Sequence, residues 1–203
     1  MKIGILNYNA CNLASIYHSI YRIGYDPIII NEKKDLKKID RLIIPGVGAA
    51  KSCMDYLRKK ELFHEINNFL DFKKPILGIC LGLQIFSKKL YEHGESEGFG
   101  FINANVVPFK KQKINIGWSK LIINDSESFS EFSNKSFYFC HSYHLNFINL
   151  NERKYCKGII ECSENIPSLI IKKNFIGAQF HPEKSQTNGN KFINKFLHWE
   201  PNS

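Results

Sequence analysis

The chain has 203 residues, 43% hydrophobic and 23% charged, enough for one buried core and a better fit to one domain over residues 1–203 than to two. No run reaches the roughly eighteen apolar residues that span a bilayer, and Met1 to Leu6 enter a strand-like stretch without the marks of a secretory signal, so a cytoplasmic protein away from membranes is expected. The net charge of +9 is dispersed in lysine pairs such as Lys33-Lys34 and Lys172-Lys173, a pattern that argues for a solvated surface and against nucleic-acid binding.

In chain order, the first half alternates short apolar runs with longer amphipathic ones. Ile3 to Leu6 reads as a strand, Leu13 to Ile23 as a helix closed by Gly24, and Pro27 to Ile30 and Arg41 to Ile44 as further strands. Leu13, Ile16, Tyr17 and Ile20 fall at three- and four-residue spacing, which places them on one core-facing stripe. Helices are expected over Ala50 to Leu57 and Leu62 to Phe72, before Pro75 and the strand Ile76 to Ile79. Beyond about residue 100 the texture is strand-like: Ala104 to Val107, Ser136 to Phe139, Gly158 to Glu161, Ser168 to Ile171 and Phe175 to Gln179, then a last helix over Lys191 to Leu197. This order predicts an α/β fold with a mixed central sheet, parallel early and antiparallel late, flanked by helices.

Six cysteines, at 11, 53, 80, 140, 156 and 162, form no close CxxC pair, so neither a zinc site nor another cofactor is expected. Cys156 and Cys162 flank an apolar run and read as small packed hydrophobes. Cys80 is different. It lies in Gly78-Ile79-Cys80-Leu81-Gly82, between an apolar strand and a helical run, which has the spacing of a nucleophile elbow with cysteine in place of serine. The glycines clear both sides of a tight turn, and amides at a helix start favour the thiolate. Taken alone, the same turn could hold a buried structural cysteine.

A second element follows the strand-like run Phe175 to Gln179. In Phe180-His181-Pro182-Glu183 the proline rigidifies a turn that can hold an imidazole against a carboxylate, leaving the other ring nitrogen free to take a thiol proton. A third, Pro45-Gly46-Val47-Gly48, gives a strand-to-helix turn able to aim backbone amides at an oxyanion, although such turns are common.

Together with FCHSY at 139 to 143 and GAQFHPEKSQTNG at 177 to 189, these motifs resemble the class I (triad) glutamine amidotransferases over nearly the whole chain. Within them the likeness is greatest to the branch that serves imidazole glycerol phosphate synthase in histidine biosynthesis. The resemblance implies a flavodoxin-like fold and hydrolysis of glutamine to glutamate and ammonia, with Cys80 as nucleophile, His181 as base and then acid, and Glu183 orienting it. It implies oxyanion amides at Leu81 and, after a peptide rearrangement, at Val47. It also implies a glutamine pocket drawn from Gly46, Gly48, Gln84, Glu92, His141, Ser142 and Tyr143. The implied partner is a (β/α)8-barrel cyclase subunit forming a heterodimer, with Asn12, Tyr138 and Lys184 near the interface.

The chain departs from the family opening Asp-Tyr-Gly-x-Gly-Asn, having Asn7-Tyr8-Asn9-Ala10-Cys11-Asn12. Because that loop is expected near the partner, two other readings stand beside the histidine-pathway one. In one, a paralogue feeds ammonia to a different acceptor, such as a surface sugar. In the other, a binding subunit keeps the fold without turnover, which the intact triad argues against.

Overall fold

The computed structural model of the chain describes residues 1–8, 12–124 and 127–201. Its first half contains β1 (Ile3–Leu6), α1 (Leu13–Arg22), β2 (Ile28–Ile30), α2 (Lys33–Leu36), β3 (Arg41–Ile44), α3 (Ala50–Lys59), α4 (Leu62–Asp71), β4 (Ile76–Ile79) and α5 (Leu81–Gln84). The second contains β5 (Ser87–Leu90), β6 (Ser96–Glu97), β7 (Ile102–Pro108), β8 (Asn115–Lys120), β9 (Ile122–Ile123), β10 (Ser136–His141), β11 (Tyr143–Phe147), β12 (Cys156–Glu161), β13 (Asn165–Lys172), β14 (Phe175–Ala178) and α6 (Gln186–His198).

The main sheet runs β2-β1-β3-β4-β14-β13-β12-β9. Its first five strands are parallel and the rest antiparallel, as the change of texture along the sequence implied. The strands β1, β3, β4 and β14 are buried at every position, because helices cover both faces of a parallel sheet and leave no polar side. The stripe on α1 buries Ile16 and Ile20, and Gly24 takes the left-handed φ of +99° that closes such a helix. On α6, Phe192, Ile193, Phe196 and Leu197 bury against the same side of the sheet core.

Two smaller sheets, β10-β8 and β11-β7-β5-β6, stand beyond the main one. The chain passes from β10 to β11 through Ser142 alone, which sets that junction over the carboxyl ends of the central parallel strands. Open parallel sheets hold their sites at those ends.

Three expectations are corrected. The helical run after Cys80 is a single turn, since Ser87 to Leu90 leave it to pair with β6 and β7. The final helix starts five residues earlier than predicted, at Gln186. Cys156 does pack against the core, but Cys162 is exposed, its thiol donating to the Glu164 carbonyl.

Candidate active site

Three neighbouring parallel strands each deliver one element of the site past their carboxyl ends. β4 leads into Cys80, β14 into His181, and β3 into the Gly46-Val47-Gly48 turn. Cys80 adopts φ +49°, ψ −104°, a strained conformation for a side chain with a Cβ and one that costs about 1–3 kcal/mol. Close packing of backbone on backbone maintains it. A Cβ on Gly46 would lie 1.9 Å from the Ile79 carbonyl oxygen, and one on Gly82 would lie 2.0 Å from that of Ile44. The elbow and the Gly46 turn are therefore locked together by glycine contacts that no larger residue allows.

The His181-Pro182-Glu183 turn is held as firmly. His181 Nδ1 donates to Glu183 Oε1 at 2.8 Å, and both side chains are buried. Glu183 Oε2 meets no hydrogen-bond donor among the described residues, so the carboxylate acts chiefly on the imidazole. The Ser185 hydroxyl donates to the His181 carbonyl at 2.6 Å and accepts from the Tyr138 amide at 2.9 Å, tying the turn to β10. A Cβ on Gly189 would fall 1.8 Å from the Pro182 carbonyl oxygen, so α6 abuts the turn directly.

Burial would by itself lower the His181 pKa from 6.5. The Cys80 sulfur, by charge and by hydrogen bond, and then Glu183 outweigh burial and raise it to about 10. The imidazole therefore favours its protonated form beside the Cys80 sulfur. The Cys80 thiol also reaches the Cys140 carbonyl at 3.8 Å, and Gln179 Nε2 lies 3.5 Å from the sulfur.

A cleft of about 470 Å³ opens over Cys80. It is lined by Gly46, Val47, Gly48, Leu81, Gln84, Glu92, Cys140, His141, Ser142 and Tyr143, together with His93 and Ile114. The structure thus gathers the pocket residues expected from sequence and adds three, Cys140, His93 and Ile114. Their roles differ in detail. Glu92 Oε2 accepts from the Ala50 amide at 2.6 Å, fixing the start of α3, and Gln84 Nε2 donates to the Tyr143 carbonyl at 2.8 Å. His141 Nδ1 donates to the Tyr143 carbonyl at 2.8 Å, which leaves Nε2 as an acceptor for Asn115 Nδ2 at 3.2 Å. Burial pushes its pKa down to about 4, so this ring is neutral where His181 is protonated.

Of the two expected oxyanion amides, Leu81 opens α5, where no preceding carbonyl of the helix can accept its N–H. The Val47 amide instead donates to the Tyr8 hydroxyl at 3.3 Å, and that hydroxyl donates to the Pro45 carbonyl at 2.8 Å. In the opening loop, Asn7 Nδ2 donates to Asn31 and Asn12 caps α1 through the Ser15 amide; Asn9, Ala10 and Cys11 lie outside the described residues.

At the rim, Lys184 Nζ sits 5.8 Å from the Tyr138 ring centre, and Trp118 packs edge-on against Tyr138 at 6.0 Å. Ile114, Ile116 and Trp118, at alternate positions on and just before β8, are 47%, 61% and 51% exposed. Apolar alternation normally marks the buried face of a strand, so sequence pattern alone does not reveal this exposed stripe.

A buried acyl-transfer pair, an orienting carboxylate and a cleft at the ends of a parallel sheet define a cysteine amidohydrolase of the triad type. The chain belongs to the glutamine amidotransferase class-I family, whose model matches residues 5–199.

Its relatives narrow the class further. The imidazole glycerol phosphate synthase subunit HisH of Caldanaerobacter subterraneus subsp. tengcongensis is 38% identical, covering 96% of each chain. The protein of that name from Methanocaldococcus jannaschii is 40% identical, covering 96% of this chain and 98% of the relative. Among solved structures, PurLQS from Thermotoga maritima superposes with a TM-score of 0.76 at 19% identity, covering 97% of each chain, a likeness of fold.

Proposed function

We propose that this chain is the glutaminase subunit of an imidazole glycerol phosphate synthase, a cytoplasmic enzyme of histidine biosynthesis whose ammonia passes to a (β/α)8-barrel cyclase. The observation that carries the chemistry is the buried His181–Glu183 pair raised against a strained Cys80 at the floor of one cleft. The relatives' names support this acceptor over a sugar-amidating paralogue.

In this reading the Cys80 thiolate attacks the side-chain amide carbon of glutamine. The tetrahedral oxyanion takes the Leu81 amide, and the Val47 amide once its peptide turns away from Tyr8. The His181 imidazolium gives its Nε2 proton to the departing nitrogen, releasing ammonia and leaving a glutamyl thioester. Neutral His181 then takes a proton from water, whose oxygen attacks the thioester; glutamate leaves and the thiolate–imidazolium pair is restored. Glu183 stabilises the imidazolium in both halves of the cycle.

The exposed stripe Ile114, Ile116 and Trp118, with Tyr138 and Lys184 beside it, borders the cleft and suits a partner that covers the site. Cys80→Ala should abolish glutamine-dependent synthesis by the complex while leaving synthesis from supplied ammonium; equal loss with both nitrogen sources would contradict the role given to Cys80. Trp118→Glu should weaken capture of the histidine-pathway cyclase at least tenfold, as loss of a central aromatic anchor does. Undiminished affinity would remove this face from the interface.

A further inference from the structure

The Cys80 sulfur has a neighbour that the triad does not use. Gln179, one residue past the end of β14, is wholly buried, and its amide nitrogen stands 3.5 Å from Sγ. An amide side chain can point either its oxygen or its nitrogen at a given partner, and here a chain of contacts decides. The Tyr143 carbonyl oxygen can only accept, so the Gln84 atom 2.8 Å from it is the NH2 group. The same nitrogen faces Gln179 at 3.1 Å, so the Gln179 atom there is the oxygen. Gln179 is left with its NH2 group on the Cys80 side.

We propose that Gln179 is a fixed hydrogen-bond donor to the Cys80 thiolate, oriented through Gln84 by the Tyr143 carbonyl. This deepens the role given to Cys80 above and rests on it. The sulfur then has two hydrogen-bonded states. As a thiol it donates to the Cys140 carbonyl; as a thiolate it accepts from Gln179 as well as from His181. Gln179 favours the second state and keeps the sulfur from turning toward Cys140 when charged. Charge-assisted bonds of this kind are stronger than neutral ones, and stronger still where water is excluded. The relay also gives Gln84 a purpose beyond lining the cleft, because its nitrogen is committed inward, leaving only its oxygen available to a ligand.

The test is the pH profile of Cys80 alkylation by iodoacetamide, followed by mass spectrometry of the Cys80 peptide in the intact chain. Gln179→Glu keeps the shape and the contact with Gln84 but turns a carboxylate oxygen toward the sulfur. It should move the profile upward by about one pH unit or more and lower kcat for glutamine about tenfold, with KM little changed, as loss of a charge-assisted bond predicts. A profile superimposable on that of the native chain, with kcat reduced, would make Gln179 structural and overturn the proposal. Should the variant not fold, the native chain supplies the answer: the Gln179 side-chain amide resonances should move as Cys80 ionises, and fixed resonances would overturn it equally. Cys80→Ala separates the two claims, since glutamine hydrolysis surviving in it would sink the nucleophile itself rather than its donor.

Discussion

The two walls of the cleft are built differently. On the His181 side, the reacting groups already face one another: Glu183 bonds the imidazole, the imidazole acts on Cys80, and Ser185 pins the turn to β10. On the Val47 side, the amide that the reaction would need is engaged with Tyr8, although Gly46 beside it packs tightly on the elbow. In the proposed mechanism, proton transfer is ready before substrate arrives, while the Val47 contribution to the oxyanion waits on a peptide rearrangement.

The complete wall should show the larger mutational effect. Glu183→Gln keeps the shape but removes the charge that, after the Cys80 sulfur, helps raise the His181 pKa, and should lower kcat about a thousandfold, by analogy with neutralising the acid of a catalytic triad. Its pH profile carries the sign. The imidazolium persists below about pH 10 and is lost above it, so removing a group that raises that value should bring the alkaline limb of glutamine hydrolysis to lower pH. An unmoved limb would mean that Glu183 only orients the ring.

A smaller effect, opposite in direction, is expected from the unfinished wall. Tyr8→Phe frees the Val47 amide but also removes the hydroxyl's bond to the Pro45 carbonyl, each such neutral bond worth about 1 kcal/mol, and should raise partner-independent glutamate release about fivefold. A basal rate unchanged or lowered would show that Tyr8 supports the turn rather than restraining it.

The fold was legible in sequence wherever burial was complete on both faces. Strands β1 and β4 carry uninterrupted apolar runs and β3 one preceded by Arg41, and their ends fall where Ile3 to Leu6, Arg41 to Ile44 and Ile76 to Ile79 place them. By contrast, β8 escaped notice because Gly117 interrupts it at φ +127° and its apolar residues face outward. The run Ser87 to Leu90 has a composition that suits a helix equally well, and pairing with β7 decides it.

The same division holds in the site. His181 and Glu183 are two residues apart, so a local motif announces their bond. The contact of Gln179 with Cys80 spans 99 positions and that of Tyr8 with Val47 spans 39, and neither leaves a local trace. Gln179 stands within a motif noted for its histidine and glutamate, but its buried hydrogen bonds became visible only in three dimensions.

The most direct test of the central chemistry is to mix the chain and its cyclase partner with glutamine, quench in acid within a turnover, and map adducts by mass spectrometry. A glutamyl thioester on the Cys80 peptide, absent in Cys80→Ala, is the predicted result. Glutamate formed at the native rate with no adduct on Cys80, or with the adduct on another cysteine, would contradict it.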